Sequence, residues 1–221
     1  MSSLENNDFW ASFYRGKEVG FPPSSFSKFV GAQFLSTTDA VLELGCGDGR
    51  DAIHLSRFAD RYVGIDLCTD AINFAQRSCE GSPLAAVRSA PIFVTGDVVS
   101  NLERLLSEHN INFVYSRFFI HSISAIEQQR VLEILASSLR LGSCFAFEFR
   151  TLNDPLFDRG EIIDENIKFT DHMRRFINFT DFVQDLVSSG VWNVEYSEES
   201  RGWSKLGDDD PVLGRVVARK V

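Results

Sequence analysis

Three glycines at alternating positions close the segment Glu43-Leu-Gly-Cys-Gly-Asp-Gly49, and Asp66 stands 21 positions beyond the first of them. Glycines let a chain turn tightly and bring bare backbone against a ligand where a side chain would clash. An aspartate in that relation to the loop can accept hydrogen bonds from a ribose diol, while the helix that opens after the loop offers free N–H groups nearby. Glu43, two residues before Gly45, and Asp97, in the pair Gly96-Asp97, add two acceptors to the set, the second where an adenine edge could be read. The chemistry implied is recognition of an adenosine-bearing ligand. Dinucleotide-binding oxidoreductases use a GxGxxG spacing that this loop lacks, which weighs against an NAD-dependent enzyme.

Such a loop must sit between a strand and a helix, and the sequence supplies both. Residues 40–44 are a short apolar run, and 51–58 carry apolar residues at helical spacing. Further strands are expected at 61–66, 92–95, 111–115 and 143–149, alternating with helices over 70–79, 102–107 and 131–139. Such alternation implies right-handed crossovers and a parallel sheet covered on both faces. Beyond it come an irregular stretch over 151–163, a strand within 167–176, a helix over 180–189, and strands at 192–197 and 212–220. The last two are separated by Gly202, Gly207 and Asp208-Asp-Asp-Pro211, so they can pair as an antiparallel ribbon. The expected fold is α/β: a Rossmann-like, doubly wound, seven-stranded sheet, mostly parallel with an antiparallel C-terminal strand. Residues 38–221 make this domain, and 1–37, aromatic-rich and broken by Pro22-Pro23, make an N-terminal arm or lid.

Bulk properties narrow the partners. A net charge of -9 argues against a phosphate-backbone footprint, since nonspecific nucleic-acid affinity comes from clustered Lys and Arg. A small-molecule acceptor is therefore expected, and no nucleic acid. The longest apolar runs fall far short of the roughly 20 residues a membrane span needs, and residues 1–8 lack a signal pattern. Cys46, Cys68, Cys79 and Cys144 form no CxxC or His-paired metal spacing and lie in apolar elements, as reduced core thiols of a cytoplasmic protein would. No metal site is expected.

The Glu43–Gly49 loop, Asp66, Gly96-Asp97 and the two added C-terminal strands resemble the class I S-adenosylmethionine (SAM) dependent methyltransferases over residues 38–221. The resemblance implies that Gly45, Cys46 and Gly47 line the methionine part of SAM, that Asp66 holds the ribose, and that Leu67, Asp97 and Val98 meet adenine. Glu43, Ser116 and Arg50 would complete the cofactor site, Arg50 by reaching the SAM carboxylate. The product would be S-adenosylhomocysteine (SAH). The stretch Tyr115-Ser-Arg-Phe-Phe-Ile-His121 is similar to a Tyr-x-Arg-Phe-x-x-His pattern of bacterial enzymes that methylate sugars, glycans and related natural products. Trp10-Ala-Ser-Phe-Tyr-Arg15 and Phe21-Pro-Pro-Ser-Ser-Phe26 look like the aromatic lid of such glycan-pathway enzymes, some joined to kinase domains, which implies a glycan-pathway partner.

His121 is the expected general base, because a hydroxyl must lose its proton as it attacks the methyl group and imidazole titrates near neutrality. Arg117 and Tyr14 stand beside it as further catalytic candidates. Trp10, Tyr14, Arg15, His172, Arg174 and Arg175 are the expected acceptor-binding residues. An anionic acceptor suits the arginines, whose planar fork donates two parallel hydrogen bonds. Strand alternation allows one of Arg174 and Arg175 to face inward, and Arg175 is the expected one. Arg215 reads equally as a closing-segment residue or a solvated strand residue, and Asp154, Asp158 and Glu161 as solvated loop acids. No Asn-Pro-Pro-Tyr or Asp-Pro-Pro-Tyr follows the fourth strand, which argues against amino methylation of adenine or of a protein glutamine. An N-methyltransferase of another kind and a noncatalytic SAM-binding scaffold remain as alternatives, the latter expected to lack an open acceptor cavity.

Overall fold

The computed structural model describes residues 7–15, 20–80, 88–170 and 172–221. In chain order the elements are α1 (Asn7–Tyr14), α2 (Ser25–Gln33), β1 (Ala40–Leu44), α3 (Ala52–Leu55), β2 (Arg61–Asp66), α4 (Thr69–Glu80), β3 (Ile92–Thr95), α5 (Val98–Glu108), β4 (Phe113–Arg117), α6 (Ala125–Ser138) and β5 (Cys144–Arg150). They continue with β6 (Glu161–Asp164), β7 (Ile167–Phe169), β8 (Met173–Arg175), α7 (Phe179–Ser188), β9 (Trp192–Ser200) and β10 (Leu213–Lys220). The main sheet has the order β3-β2-β1-β4-β5-β10-β9. β1 to β5 run parallel, and β10 is antiparallel to both β5 and β9. This is the doubly wound, seven-stranded, mostly parallel sheet expected from the alternation and the C-terminal strand pair.

The strand sequences explain the two-sided burial. Leu42, Leu44, Phe145, Phe147 and Phe149 point into one core with α5, α6 and α7, while Val41, Phe113, Tyr115, Cys144 and Ala146 point into the other with α2 and α3. Strand order reverses between β1 and β4, and it is outside the carboxyl ends of strands at such a switch point that a crevice opens. The second face changes character as it nears that end. Across β4, β5 and β10, Arg117, Glu148 and Arg215 are direct register partners, so apolar packing gives way to a buried row of charges.

Several boundaries differ from expectation for local reasons. The fourth strand runs to Arg117, two residues further than the apolar run suggested, because Glu148 on β5 pairs with that arginine. The helix after the glycine loop is a single turn, 52–55, followed by turns, although Ala52, Leu55 and Ala59 are buried as the periodicity required. The stretch 151–160 is irregular as expected, but beyond it β6, β7 and β8 form a three-stranded antiparallel sheet where one strand was expected. Asp154 within the irregular stretch is buried and pairs with Arg150 at 2.8 Å, a correction to its reading as a solvated acid. All four cysteines are free and buried. Among the described residues no helix is long and apolar enough to cross a membrane.

The N-terminal 37 residues are not uniform, and residues 1–6 and 16–19 of them lie outside the described set. α2 is part of the core: Phe26 and Val30 are fully buried, and Phe26 stacks on Tyr115 at 5.2 Å. Its start is held by Asp51, whose carboxylate accepts from the Ser24 N–H (2.7 Å), Ser24 Oγ (2.7 Å), Ser27 Oγ (2.9 Å) and the Tyr115 hydroxyl (2.9 Å). One buried carboxylate thus fixes α2 to the end of the glycine loop. Asp51→Ala leaves those donors without their acceptor, and a buried unsatisfied group costs about 1–3 kcal/mol, so the urea midpoint should fall by a corresponding amount. Asp51→Asn, which keeps an acceptor oxygen, should recover part of that loss.

Candidate active site

The glycine loop closes the carboxyl end of β1 with Gly45, Gly47 and Gly49 at φ of 69°, 52° and 70°, a region that disfavours side chains. The close approach is as tight as the backbone. A Cβ on Gly47 would lie 2.6 Å from the Tyr14 hydroxyl, and one on Gly45 2.7 Å from Phe119. Asp66 turns back to the loop and accepts from the Gly47 N–H (2.9 Å) and the Cys68 N–H (2.9 Å). Burial pushes its carboxyl above the ordinary range, opposed by those two N–H groups. Glu43, buried beneath the loop, accepts the Tyr62 hydroxyl and is pushed up strongly, first by burial and then by Asp51. Asp97 caps α5, accepting from the Ser100 N–H at 2.8 Å, and this places it with Val98 beside Leu67 on the same wall.

These residues line one end of a cavity of about 630 Å³ that continues past β4. At its other end stand Arg117, Phe118, His121, Arg150, His172 and Arg174, roofed by Phe9, Trp10, Phe13 and Tyr14 of α1 and by Trp203 to Leu206. The chain turns sharply here: Phe118 has φ of 59°, costly for a side chain of its size, and its N–H donates to Glu148 O at 2.9 Å. Its ring packs 4.1 Å from the Arg117 guanidinium. Ser124 and Glu127 form a capping box that starts α6 immediately after this turn, so both ends of the 118–124 loop are fixed.

His121 is buried, and its Nδ1 accepts the Arg150 backbone N–H at 3.1 Å. Its carbonyl accepts the Arg175 N–H at 3.0 Å. Burial holds the imidazole well below its ordinary pKa, with Arg150, Arg174, His172 and Arg175 acting in the same direction. A neutral imidazole that accepts at Nδ1 carries its proton on Nε2. The roof is attached through rings: Phe9 and Trp10 pack on His172 at 4.3 and 5.0 Å, and Tyr14 stacks on Trp10 at 6.1 Å. Tyr14 keeps its phenolic proton, because burial and then Asp66 raise its pKa well above the ordinary value.

The structure brings together Trp10, Tyr14, Glu43, Gly45, Cys46, Gly47, Arg50, Asp66, Leu67, Asp97, Val98, Arg117, His121, His172 and Arg174. Arg50 lines the cavity with its Nε donating to Pro22 O at 2.7 Å and its guanidinium over Phe21. Three expected residues lie elsewhere. Arg175 points away, donating to Ile120 O (2.7 Å), Ile123 O (3.1 Å) and Gln128 Oε1 (2.6 Å); alternation along β8 turns Arg174 inward instead. Arg15 is exposed on the outer side of α1, 3.8 Å from Asp70. Ser116 is sealed within the sheet, near Leu44 O.

Two groups were missed by reading the sequence. The loop between β9 and β10 contributes Trp203 and Ser204, where only a turn was apparent, and Trp203 packs on Arg215 at 4.1 Å. Arg215 is buried, a correction to its reading as solvated, and it shares Glu148 with Arg117. The signal that could have found it is the register itself, which places Arg117, Glu148 and Arg215 side by side once β5 and β10 are paired.

Residues 41–142 match the family described as a methyltransferase domain. No curated protein matches the chain in sequence. Among solved structures, a SAM-dependent methyltransferase from Methanosarcina mazei is similar with a TM-score of 0.71 at 18% identity, over 92% of this chain and 99% of that one. One from Anabaena variabilis has a TM-score of 0.71 at 14% identity, over 99% and 95%. The glycopeptide N-methyltransferase MtfA, complexed with SAH, has a TM-score of 0.65 at 17% identity, over 93% and 94%. The architecture is the fold of the class I SAM-dependent methyltransferases. Residues 41–142 are the methyltransferase domain of this chain, and SAM is the cofactor. The residues present fit that cofactor, since the bare glycine backbone faces the cavity and Asp66 stands beside it. Asp66→Ala should weaken SAH binding measured by calorimetry by about 1–3 kcal/mol. Gly47→Val should weaken it further, because a branched Cβ meets both the Tyr14 hydroxyl and a disfavoured φ.

Proposed function

We propose that this enzyme methylates an oxygen of a small-molecule or glycan-derived acceptor that carries an anionic group, in the cytoplasm. The observation that carries this reading is that the glycine cradle and an arginine-bearing, aromatic-walled chamber are one continuous cavity. A domain that only bound SAM would need no chamber beyond the cradle. When bound, SAM supplies a methyl group on a positively charged sulfur. Gly45, Cys46 and Gly47 with Asp66, Leu67, Asp97 and Val98 hold it at one end, with Glu43 beneath and Arg50 at the rim. Trp10 and Tyr14 cover the junction and exclude water, so that the acceptor is held in line for attack. Arg117, Arg174 and His172 surround the acceptor, and a guanidinium suits a carboxylate or phosphate oxygen. Four buried free thiols suit a reducing compartment. The likeness of the flanking aromatic segments to glycan-pathway enzymes supports an acceptor and neighbouring enzymes of that kind.

The test is incubation with methyl-labelled SAM and fractionated metabolites, followed by identification of the labelled product. With that acceptor, Arg174→Ala should raise KM about 10–100-fold, the equivalent of losing a hydrogen bond to a charged group at roughly 1.5–3 kcal/mol. Arg175→Ala should instead lower stability, since it strips the donors from Ile120 O and Ile123 O. Removal of residues 1–15 should cost turnover at least tenfold while leaving the unfolding midpoint nearly unchanged, because α1 packs over the cavity and outside both cores. Full turnover by the truncated protein would make α1 a cover without a role in the reaction.

A further inference from the structure

The hydrogen bond into His121 fixes which of its nitrogens can act. Its Nδ1 lone pair is spent on the Arg150 N–H, so the nitrogen left for the cavity, Nε2, bears the proton and donates. A base needs the opposite tautomer. Moving the proton to Nδ1 would set an imidazole N–H against the Arg150 N–H in a buried turn, two donors face to face.

The carboxylates and Tyr14 around the cavity do not supply a base in its place. Asp51 is saturated by hydroxyl and amide donors, Asp66 is turned to the loop, Asp97 caps α5, and Asp209 pairs with Arg150 at 2.5 Å. Glu43 and Asp48 belong to the glycine segment at the cofactor end. Tyr14 holds its proton. His172 is buried with its ring packed on Phe9 and Trp10, and it is the competing base that the test below separates. The acceptor chamber is instead rich in donors: Arg117, with Nε on Glu148 and one Nη on Ser204, then Arg150, Arg174 and the His121 Nε2–H.

Donors without a base suit a nucleophile that arrives ionised. We propose that the methylated atom is a carboxylate oxygen of an acceptor with an apolar or ring-shaped body, held by the His121 Nε2–H and an arginine, and that no protein base takes part. This rests on the methyl-transfer reading above and narrows it. The carboxylate oxygen forms its bond to the methyl carbon as the methyl–sulfur bond breaks, and that electron pair stays on sulfur. A negative oxygen and a positive sulfur become a neutral ester and a neutral thioether, with no proton to dispose of. The surrounding Arg150, Arg174, Arg175 and His172 all favour the uncharged imidazole, so His121 changes neither charge nor tautomer between about pH 6.5 and 8.

The test has two readouts. Long-range nitrogen–proton NMR of the labelled protein bound to SAH, with His121 assigned by its absence in His121→Gln, should show the Nε2–H tautomer from pH 6.5 to 8. An Nδ1–H or doubly protonated His121 overturns the proposal without touching the SAM assignment, which fails only if SAH does not bind. Turnover is then followed with labelled SAM on matched probes: phenylacetate against 2-phenylethanol, and glucuronate against glucose. Label in an alkali-labile ester from the acids, at a rate flat over that pH range and kept within about tenfold in His121→Gln, supports the proposal, since the glutamine amide can still donate. A base role predicts a loss of roughly 10²–10⁴ fold in that variant. Methyl ethers from the alcohols, at a rate rising with pH, overturn it and point to a base elsewhere, His172 included.

Discussion

A single fully buried carboxylate organises the working end of this molecule. Glu148 sits between Arg117, at 2.9 Å, and Arg215, at 2.7 Å, in a ladder that crosses three adjacent strands. Burial raises the Glu148 carboxyl, and the two guanidiniums pull it back toward ionisation. Burying one charge would be costly, but it is paired on both sides, and each guanidinium also donates to a second segment of the chain. Arg215 donates to Ser25 Oγ at 2.7 Å and so steadies the start of α2, and it carries the Trp203 ring. Arg117 donates to Ser204 Oγ at 2.7 Å. The floor of the acceptor chamber, its far wall and its N-terminal flank therefore converge on the same two oxygens. Truncating Glu148 would strand two buried cations, so the three residues stand or fall as one unit.

The fold was legible because the parallel strands are buried on both faces and read as mostly apolar runs, such as 40–44, interrupted only by Glu43, and 144–147. The cradle was legible because Gly45, Gly47 and Asp66 owe their positions to local geometry, a tight turn and the strand after it. Three kinds of information were out of reach. Arg215 and Glu148 meet only through strand pairing across 67 residues, and no local pattern marks either as buried. The choice between Arg174 and Arg175 depended on the phase of a three-residue strand, β8, which its own sequence leaves undetermined. The hydrogen bond into His121 Nδ1 has a backbone N–H as its donor, which carries no side-chain signature.

The two ends of the cavity are built by different rules. At the cofactor end the contacts are backbone amides, glycines and carboxylates, rigid because β1 and β2 hold them in register. At the other end, where we place the acceptor, the walls are aromatic rings and arginines from α1, the 118–124 turn, β8 and the β9–β10 loop. Those segments join to each other through stacking and side-chain bonds, with the strained Phe118 at their centre. Rigidity where the ligand is invariant and adjustable surfaces where it must be selected is the arrangement that lets one sheet serve differing acceptors.

That division is sharpest in the β9–β10 hairpin. Its strands pair along their length with a single irregularity between Val217 and Ala218, while its tip holds Trp203, Ser204 and, further on, Asp209 against Arg150. The tip supplies no rung of the main sheet, so outside Trp203, Ser204 and Asp209 its length and composition can change without repacking the strands. An acceptor range could thus be acquired or lost within about ten residues of one hairpin end, and two such enzymes could share every strand while sharing no substrate.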